Sequence, residues 1–548
     1  MCCKEFGMLK QKFLLALFII GASLFFAACA KRGSITGGTK DTIAPYIIGS
    51  SPKNMSTNFT GKEIRIDFNE YIKIKDINKQ LIISPPMKTQ PSIIPTGSAS
   101  KYIDIKIKDT LEPNTTYSFN FGQSITDNNE GNPYSQFKYI FSTGSYIDSL
   151  ALGGRIKDAY TRETDNFVTV MLYEDNETFT DSTVYKERPR YVTNTLDSMV
   201  NFSLQNLKEG RYHLFALKDA SNNYKYDPKS DKIAFVKQTI TVPTDSTYTL
   251  KLFKQKGAFK SVKPTLATSN RLYLGYEGAY DKSLTATVTN AATKEEIKTL
   301  ITKVADKDSV QIWLPREIKA DSLNVQVTQR DTVRNFNVKF KELKASDSLT
   351  VDAVQKSGLH FRERFTLKTS TPLVSIDTTK ITLVNKDSVA VPFKHVYDDF
   401  KQELILDFPK DESQKYTFSL LPGAMTDFYG KQNDTLKYKL STRTYADYGT
   451  IKLTLQNVKR FPLIIEFTDT KGKVYLTDYS ESKTEFFYEN LEPNTYILRV
   501  IYDDNKNKEW DTGDYLNKVQ PEEVLYYARE IKLPAYWDLE EVFIMKGD

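Results

Sequence analysis

Short runs in which apolar and polar residues alternate recur along almost the whole chain, separated by clusters of Pro, Gly and Asn. Examples lie at 63–68 and 102–107. Alternation with a period of two residues is typical of strands with one buried face, whereas a helix needs a period of about 3.6 residues. The pattern therefore predicts an all-β chain built of β-sandwiches, with almost no helix.

An internal repeat divides this β-rich chain into modules. The pattern at 117–142, which contains Tyr, Thr-Asp and Ser, recurs at 416–441 with the same spacing of 25 residues from Tyr to Ser, and the pattern at 206–227 recurs at 490–511. At 548 residues the chain is also far longer than the roughly 100–200 residues of one ordinary domain. We therefore expect an elongated array of tandem sandwiches in the order A-B-x-A-B.

The repeat boundaries and the composition predict the following segments. They are a lipoprotein signal peptide at 1–28, a flexible tether at 29–40, a first A module at 41–146, a first B module at 150–256, a middle module of unassigned family at 257–354, a second, divergent A module at 358–444 and a second B module at 447–546.

The amino terminus carries a targeting signal. Lys10 and Lys12 precede an apolar run at 13–26, which is too short to span a membrane and typical of a signal peptide. The run ends in Phe-Ala-Ala before Cys29, which resembles a bacterial lipobox, in which the cysteine receives lipid. The segment 30–40 after it is rich in Gly, Ser and Thr and is predicted to be a flexible tether. Cys29 would be the sole cysteine after cleavage, so no disulfide is expected.

Both repeated modules contain motifs beyond the alternation of their strands. Those of the first A module are Phe68-Asn69-Glu70, Leu111-Glu112-Pro113-Asn114-Thr115-Thr116-Tyr117, Asp127 with Gly131-Asn132, and Phe141-Ser142-Thr143-Gly144. On these residues the A module resembles bacterial Ig-like domains. The B module, with Asn206-Leu207, Tyr212, Leu214 and Asp219, resembles transthyretin-like or Cna-B-like sandwiches. Together with the lipobox, the whole chain resembles Ig-like-domain lipoproteins of Bacteroidota outer membranes, which implies a scaffold or interaction role.

An acidic loop in the second B module is a candidate calcium site. Oxygen-bearing side chains stand at loop positions one, three, five, nine and twelve, a spacing with which a tight loop can wrap Ca²⁺. Lys508 occupies position six, where a calcium loop usually has Gly, and position twelve is not Glu. The candidate ligands are Asp503, Asn505, Asn507, Asp511 and Asp514.

The first B module contains a related loop with fewer candidate ligands, namely Asp219, Asn223 and Asp227, and we expect it to bind Ca²⁺ more weakly. The alternative for both loops is a turn in which Asp and Asn side chains accept hydrogen bonds from backbone N–H groups without any metal. The sequence leaves both alternatives open.

No catalytic motif stands out. The chain lacks G-x-S-x-G, H-E-x-x-H, P-loop and dinucleotide-binding glycine motifs, and its three His residues, His213, His360 and His395, are far apart in sequence. We therefore predict no enzyme activity. The 75 basic and 69 acidic residues are interleaved, with a net charge of +6, so nucleic acid is not an expected partner.

Two functions remain open at this stage. The first is a non-catalytic lipoprotein that serves as scaffold or docking subunit of a larger envelope complex for protein biogenesis, secretion or uptake. The second is a surface adhesin or glycan-binding lipoprotein. Surface export in related lipoproteins is associated with acidic residues soon after the cysteine, whereas Lys31 and Arg32 follow Cys29 here. We therefore expect a lipid-anchored outer-membrane protein on the periplasmic face, with envelope proteins as partners.

Overall fold

The computed structural model describes residues 41–196, 200–341, 343 and 347–546. The predicted signal peptide, Cys29 and the tether lie outside the described residues. Within them, strands dominate, and the helices are the single turns Ile77–Gln80 and Thr183–Lys186 and the 3₁₀ helices Thr378–Lys380 and Tyr445–Asp447. The prediction of an all-β chain of tandem β-sandwiches is confirmed.

The chain separates into two compact units. The first comprises 41–81, 88–113 and 119–143, and the second comprises Ile82–Met87, Asn114–Ser118 and the chain from Gly144 onward. The division passes through one strand, Thr116–Asn120, of the first A module. The bounds of the five modules stay a prediction.

The strands of the first A module follow the alternation of its sequence. They are β1 (Ile47–Ser51), β2 (Glu63–Ile74), β3 (Ile82–Ser84), β4 (Ser92–Ile94), β5 (Ser100–Lys106), β6 (Thr116–Asn120), β7 (Ile125–Asp127) and β8 (Lys138–Ser142). One sheet has the order β1-β2-β5-β4 with β7 also paired to β2, and the other has the order β3-β6-β8. Along β2, Ile64, Ile66 and Phe68 are buried, while Arg65 and Asp67 between them are more exposed and form an ion pair.

A buried carboxylate closes the turn that follows β7. Asp127 accepts hydrogen bonds from the backbone N–H groups of Asn129, Glu130, Gly131 and Asn132 at 2.7–3.0 Å. Gly131 has a φ of 81°, a conformation that a side chain would strain. The Asp127 and Gly131-Asn132 motif is therefore one turn in which a single side chain satisfies four donors. Burial opposes ionisation of Asp127, but these donors hold the pKa of its carboxyl below the ordinary value of 3.8.

The first B module is a sandwich of two sheets. Its strands are β9 (Leu150–Asp158), β10 (Thr169–Glu174), β11 (Tyr191–Asn194), β12 (Asn201–Leu207), β13 (Gly210–Lys218), β14 (Lys232–Phe235), β15 (Ile240–Val242) and β16 (Tyr248–Leu252). The sheets have the orders β12-β9-β16 and β11-β10-β13-β14, with β15 paired to β13. Strands β9 and β16 run parallel.

The middle module and the second A module continue the chain with further antiparallel sheets. The strands of the middle module are β17 (Lys260–Ser261), β18 (Thr265–Thr268), β19 (Arg271–Glu277), β20 (Thr285–Asn290), β21 (Glu296–Ile297), β22 (Leu300–Lys303), β23 (Ser309–Trp313), β24 (Ser322–Gln329) and β25 (Thr332–Lys339). Those of the second A module are β26 (Val351–Ala353), β27 (Phe365–Thr369), β28 (Leu373–Ile376), β29 (Ile381–Val384), β30 (Lys394–Asp398), β31 (Glu403–Asp407), β32 (Lys415–Leu420), β33 (Met425–Asp427) and β34 (Leu436–Ser441). The sheet orders of the second A module, β26-β27-β31-β30 and β29-β32-β34, match those of the first A module strand for strand.

The second B module repeats the strand order of the first. Its strands are β35 (Gly449–Gln456), β36 (Leu463–Thr468), β37 (Val474–Ser480), β38 (Glu485–Leu491), β39 (Asn494–Tyr502), β40 (Val524–Tyr526), β41 (Ile531–Leu533) and β42 (Asp538–Ile544). The sheets have the orders β38-β35-β42 and β37-β36-β39-β40, with β41 paired to β39. The last strand again runs parallel to the first, β42 beside β35.

A tyrosine that recurs in both B modules makes an equivalent hydrogen bond within each copy. The hydroxyl of Tyr212 donates to the carbonyl of Lys208 at 3.0 Å, and that of Tyr496 donates to the carbonyl of Glu492 at 2.7 Å. Both rings are buried, so each hydroxyl needs such a partner. The Tyr in the repeated sequence pattern is therefore a core residue with a fixed polar contact.

Replacement of Asp127 by Asn tests the carboxylate turn. The lowered pKa means that the ionised carboxylate stabilises the fold above its unfolded pKa near 3.8, and that this contribution is lost as the pH falls through the folded pKa. At pH 7 we expect Asp127→Asn to lower the free energy of unfolding of this module by about 1–3 kcal/mol. At pH 3 the difference should shrink. Urea titration of the full chain, with a brief hydrogen-exchange pulse read at peptides from 119–143, measures both values.

Asp76→Asn is the matched control, because Asp76 is exposed and its side chain makes no capping hydrogen bond at the short helix that it precedes. Its φ of 48° also suits Asn. A cost for Asp127→Asn that is equal at pH 7 and pH 3 would contradict the account.

Candidate functional site

The acidic loop of the second B module begins directly after β39. Asp503 is fully buried, and its carboxylate accepts hydrogen bonds from the backbone N–H groups of Asn507 at 3.1 Å and Lys508 at 2.9 Å. The Asn505 and Asn507 side-chain oxygens accept from N–H groups two residues further on. These bonds are those expected for a capped turn.

The structure brings three of the candidate ligands together at the loop centre. The side-chain amide nitrogens of Asn505 and Asn507 donate to the same carboxylate oxygen of Asp511, at 2.5 and 2.6 Å. Rotation of each amide about its last side-chain bond would present oxygen instead of nitrogen at this point. Asp514 does not join them, since its carboxylate accepts hydrogen bonds from Asn517 and Gln255.

Glu522, which the sequence analysis did not single out, stabilises this loop through hydrogen bonds to its backbone. Glu522 accepts hydrogen bonds from the backbone N–H groups of Asp504 at 2.7 Å and Asp511 at 3.0 Å. Burial raises the pKa of Glu522, and the nearby Asp511 and Asp503 charges raise it further, while the two donors oppose the shift. Glu522 therefore holds positions two and nine of the loop together.

The loop of the first B module is built in the same way. Asp219 accepts hydrogen bonds from the backbone of Ser221 at 3.0 Å and Tyr224 at 2.7 Å. Buried Asp231 accepts from the backbone of Ala220 and Asp227, as Glu522 does in the second copy.

The candidate ligands of this first loop are not brought together, because each accepts a hydrogen bond from a different backbone N–H group. The Asn223 oxygen accepts from the backbone of Lys225, and the Asp227 carboxylate accepts from that of Lys229. No hydrogen bond joins Asn223 to Asp227 among the described contacts, in contrast to Asn507 and Asp511 of the second loop.

The backbone of the two loops is also alike. Asn222 and Tyr224 in the first loop, and Lys506 and Lys508 in the second, have φ values of 53–68°. Each pair stands three and five residues after the leading Asp. Lys508 thus adopts the sharp turn for which the sequence analysis expected Gly, at a cost of order 1–3 kcal/mol per strained residue.

Binding of Ca²⁺ by the two acidic loops stays a prediction. Within the described residues no group of three or more His, Cys, Asp or Glu side chains is arranged to hold a metal ion. The convergence of Asn505, Asn507 and Asp511 fits a cation that binds amide and carboxylate oxygen, whereas Asp514 and the first loop do not share this arrangement. The hydrogen bonds of both loops are those of the capped turn.

The acidic loop of the second B module is also part of a contact with the first. Tyr515 is fully buried against Phe215 and Phe235 of the first B module, with ring centroids 5.5 and 5.4 Å apart. Its hydroxyl donates to the carbonyl of Asp181 at 3.2 Å. Tyr515 therefore completes the core of a module that ends about 260 residues earlier in the chain.

The acidic loop can approach the first B module closely because residue 513 is a glycine. A Cβ at Gly513 would lie 2.7 Å from the ring of Phe253 and 2.8 Å from the carbonyl oxygen of Val519. Next to it, the Thr512 hydroxyl donates to the carbonyl of Lys254 at 2.8 Å. Within the sequence 512–515, Thr512 thus donates a hydrogen bond, Gly513 permits the close approach and Tyr515 provides the buried ring.

A buried arginine makes a second contact between the B modules. The Arg499 Nε donates to Glu466 at 2.6 Å within the second B module, and its Nη2 donates to the Tyr160 hydroxyl of the first. The guanidinium carbon lies 4.1 Å from the centre of the Tyr160 ring. Trp510 of the acidic loop also packs on the Tyr160 ring, with ring centroids 4.5 Å apart.

These contacts go beyond the sequence analysis, which predicted an array of tandem sandwiches and assigned no contact between particular modules. In the second unit the two B modules contact each other directly, because the second copy carries an extended loop at 503–522 with apolar and aromatic side chains for this surface. The repeated pattern alone gives no signal for such a contact.

Comparison with protein families identifies one segment. Residues 41–143 match the bacterial Ig-like domain family. This match confirms the Ig-like resemblance of the first A module. The resemblances of the other modules, and of the whole chain to outer-membrane lipoproteins, stay predictions. No curated protein sequence is significantly similar to this chain.

Several solved structures of other proteins match this chain. Domains 1–6 of the surface layer protein SbsC are 11% identical, with 89% of this chain and 67% of that chain covered and a TM-score of 0.15. Titin domains A168–A170 are 11% identical over 44% and 91%, with a TM-score of 0.14. The BSP domain of a biofilm associated protein is 8% identical over 75% and 99%, with a TM-score of 0.16. At these scores the likenesses carry no inference about function.

Chelation tests the calcium alternative. If Asn505, Asn507 and Asp511 hold Ca²⁺, the ion stabilises the fold by RT ln(1 + [L]/Kd), about 2.7 kcal/mol at one hundred times Kd. The full chain should then melt lower in EDTA and recover with Ca²⁺, and Mg²⁺ should substitute poorly because it demands tighter octahedral geometry. Hydrogen exchange at 503–512 should slow on Ca²⁺ addition.

Asp511→Ala should abolish the calcium response, whereas Asp227→Ala in the first loop should leave it intact. Wild-type melting and exchange that do not respond to EDTA would establish both loops as capped turns without metal.

Proposed function

We propose that the protein is a non-catalytic lipoprotein of the outer membrane that serves as a scaffold or docking subunit of a larger envelope complex. It is anchored by lipid on Cys29 and faces the periplasm. Its partners are envelope proteins engaged in protein biogenesis, secretion or uptake.

The observation that carries this proposal is the buried contact between the two B modules. Tyr515 and Arg499 hold two sandwiches together that are distant in sequence. A surface fixed in this way loses little conformational entropy when a partner binds, and this favours affinity. Open strand edges and loops on such a surface are suited to protein partners.

The anchor rests on the amino-terminal sequence. The apolar run at 13–26 before Cys29 predicts export and lipidation, and acyl chains contribute roughly 0.8 kcal/mol per buried CH₂ to membrane binding. In the part of the chain that the structure describes, no helix is long and apolar enough to cross a bilayer.

A second candidate, a glycan-binding adhesin, is favoured by a specific group of exposed rings. In the second B module Tyr536, Trp537 and Phe487 are 83%, 59% and 63% exposed. Tyr536 has a φ of 61° and its N–H donates to the carbonyl of Tyr448, so the backbone is fixed where the ring projects. Exposed aromatic rings can stack on sugar rings, which makes this group the place to test that candidate.

Affinity capture of the tagged protein from native membranes tests the proposed function. We expect wild-type protein to fractionate with the outer membrane, to incorporate labelled palmitate and to retain one envelope protein at constant stoichiometry. Cys29→Ala should lose the label and the membrane association, because its anchor is removed. Whole-cell protease treatment should leave the wild type intact.

Cys2→Ala and Cys3→Ala are the controls, because both residues precede the apolar run and should not affect anchoring. Binding to a glycan array that is lost in Tyr536→Ala with Trp537→Ala, without a captured partner, would favour the adhesin. A Cys29→Ala protein that keeps its membrane association and label would contradict the anchor.

A further inference from the structure

A cleft of about 720 Å³ lies between the two B modules. One wall is the outer face of the sheet β12-β9-β16, through Arg155, Lys157 and Lys251. The other wall is the side of the second B module where β40 and β42 end its two sheets. Arg162 crosses between the walls, since its guanidinium donates to the carbonyl of Ala528 at 3.0 Å.

The lining of this cleft is strongly basic. Its charged residues are Arg155, Lys157, Arg162, Lys251, Arg529 and Lys546, against the single acid Asp158. The Asp158 side chain is almost fully buried and pairs with Lys232 at 2.7 Å, and Glu541, which is not part of the lining, pairs with Arg529 at 3.4 Å. The excess of positive charge favours an anionic occupant.

The pKa values of two lysines in the cleft are lowered, partly by the positive charges around them. Burial lowers the pKa of Lys157, and the positive charges of Arg155 and Lys251 lower it further. Burial likewise lowers the pKa of Lys251, to which Arg155 also contributes, although Glu523 opposes the shift. Negative charge placed between these residues would relieve their mutual repulsion.

Two strand edges open into the same cleft. Strand β42 pairs with β35 on one side and β40 pairs with β39 on one side, and neither has a further strand partner among the described residues. Val542 and Ile544 of β42 are 46% and 47% exposed and line the cleft. An open edge presents backbone N–H and C=O groups with which an extended chain can pair.

We propose that this cleft binds an extended acidic segment of a partner protein, which adds as a strand along the edge of β42. The basic wall meets its carboxylates, and Val542 and Ile544 contact its alternate apolar side chains. The proposal rests on the docking role proposed above and assigns the surface that performs it. A phosphate group or lipid headgroup would use the charge alone and leave the strand edge without a partner.

The chain's own amino-terminal segment does not suit this cleft. Residues 1–40 contain Lys4, Lys10, Lys12, Lys31, Arg32 and Lys40 but only Glu5 as an acid. Like charge would repel it from the basic lining. The amino-terminal segment is therefore not the acidic occupant, and the proposal assigns that occupant to another protein.

Binding of a labelled ten-residue peptide of alternating Glu and Val to the full chain tests the proposal by fluorescence anisotropy. We expect saturable binding that weakens as salt rises. The double variant Lys157→Glu with Lys251→Glu should weaken binding at least about tenfold, since two attractive charges become repulsive. Lys339→Glu, an exposed residue at the end of β25 in the middle module, is the matched control and should leave binding unchanged.

A peptide methylated on alternate backbone nitrogens distinguishes strand pairing from charge alone. Loss of binding on methylation supports a strand added along β42, while unchanged binding overturns it. Equal competition by inorganic phosphate or by vesicles of anionic lipid, at matched charge, would also overturn it. A double variant that melts like the wild type, yet binds the peptide as the wild type does, would exclude the basic wall as the site.

The same double variant separates this proposal from the proposed function. If the wild type captures an envelope partner and the double variant does not, and the peptide competes with that partner, the cleft is the docking site. If the double variant still captures the partner, the cleft proposal is wrong and the docking role stands. If the wild type binds the peptide at the cleft but captures no partner, the docking role fails while the peptide site stands.

Discussion

The burial of Tyr515 in the core of the first B module is the contact on which the arrangement of the second unit depends. Its ring packs against Phe215 and Phe235, and its hydroxyl reaches the carbonyl of Asp181. Removal of such a ring costs about 3–5 kcal/mol in other protein cores. Arg499 adds a second contact through its hydrogen bond to the Tyr160 hydroxyl of the first B module, and it pairs with Glu466 within the second. Loss of one partner of a buried ion pair typically costs about 3–5 kcal/mol.

Loop 503–522 therefore has two roles that share the same residues. Its first half is a turn in which Asp503 and Glu522 satisfy backbone donors, and its second half carries Tyr515 into the neighbouring module. Trp510 connects the halves, because its indole donates to the carbonyl of Glu522 and packs on Tyr160. Any ligand that stiffens the turn therefore also acts on the contact between the B modules.

Much of the fold follows from local sequence, because alternation determines which side chains of a strand are buried. Ile64, Ile66 and Phe68 are buried as their spacing predicts. Asp231 and Glu522 play equivalent roles, since each accepts hydrogen bonds from the backbone of its own loop. The sequence analysis missed them because they stand four and eleven residues after the ninth loop position, so the repeat does not align them. The contact of Tyr515 was missed because no periodic pattern relates residues so far apart in the chain. The cleft could not be found from sequence for the same reason, since its basic residues come from both B modules.

Hydrogen exchange in Tyr515→Ala tests the contact between the B modules most directly. With Tyr475→Ala as the control for an exposed ring, the account predicts faster exchange in loop 503–522 and also at 181–186, 233–236 and 253–255 of the first B module, which surround Tyr515. Faster exchange confined to 503–522 would show that the ring does not support the first B module, and would contradict the account.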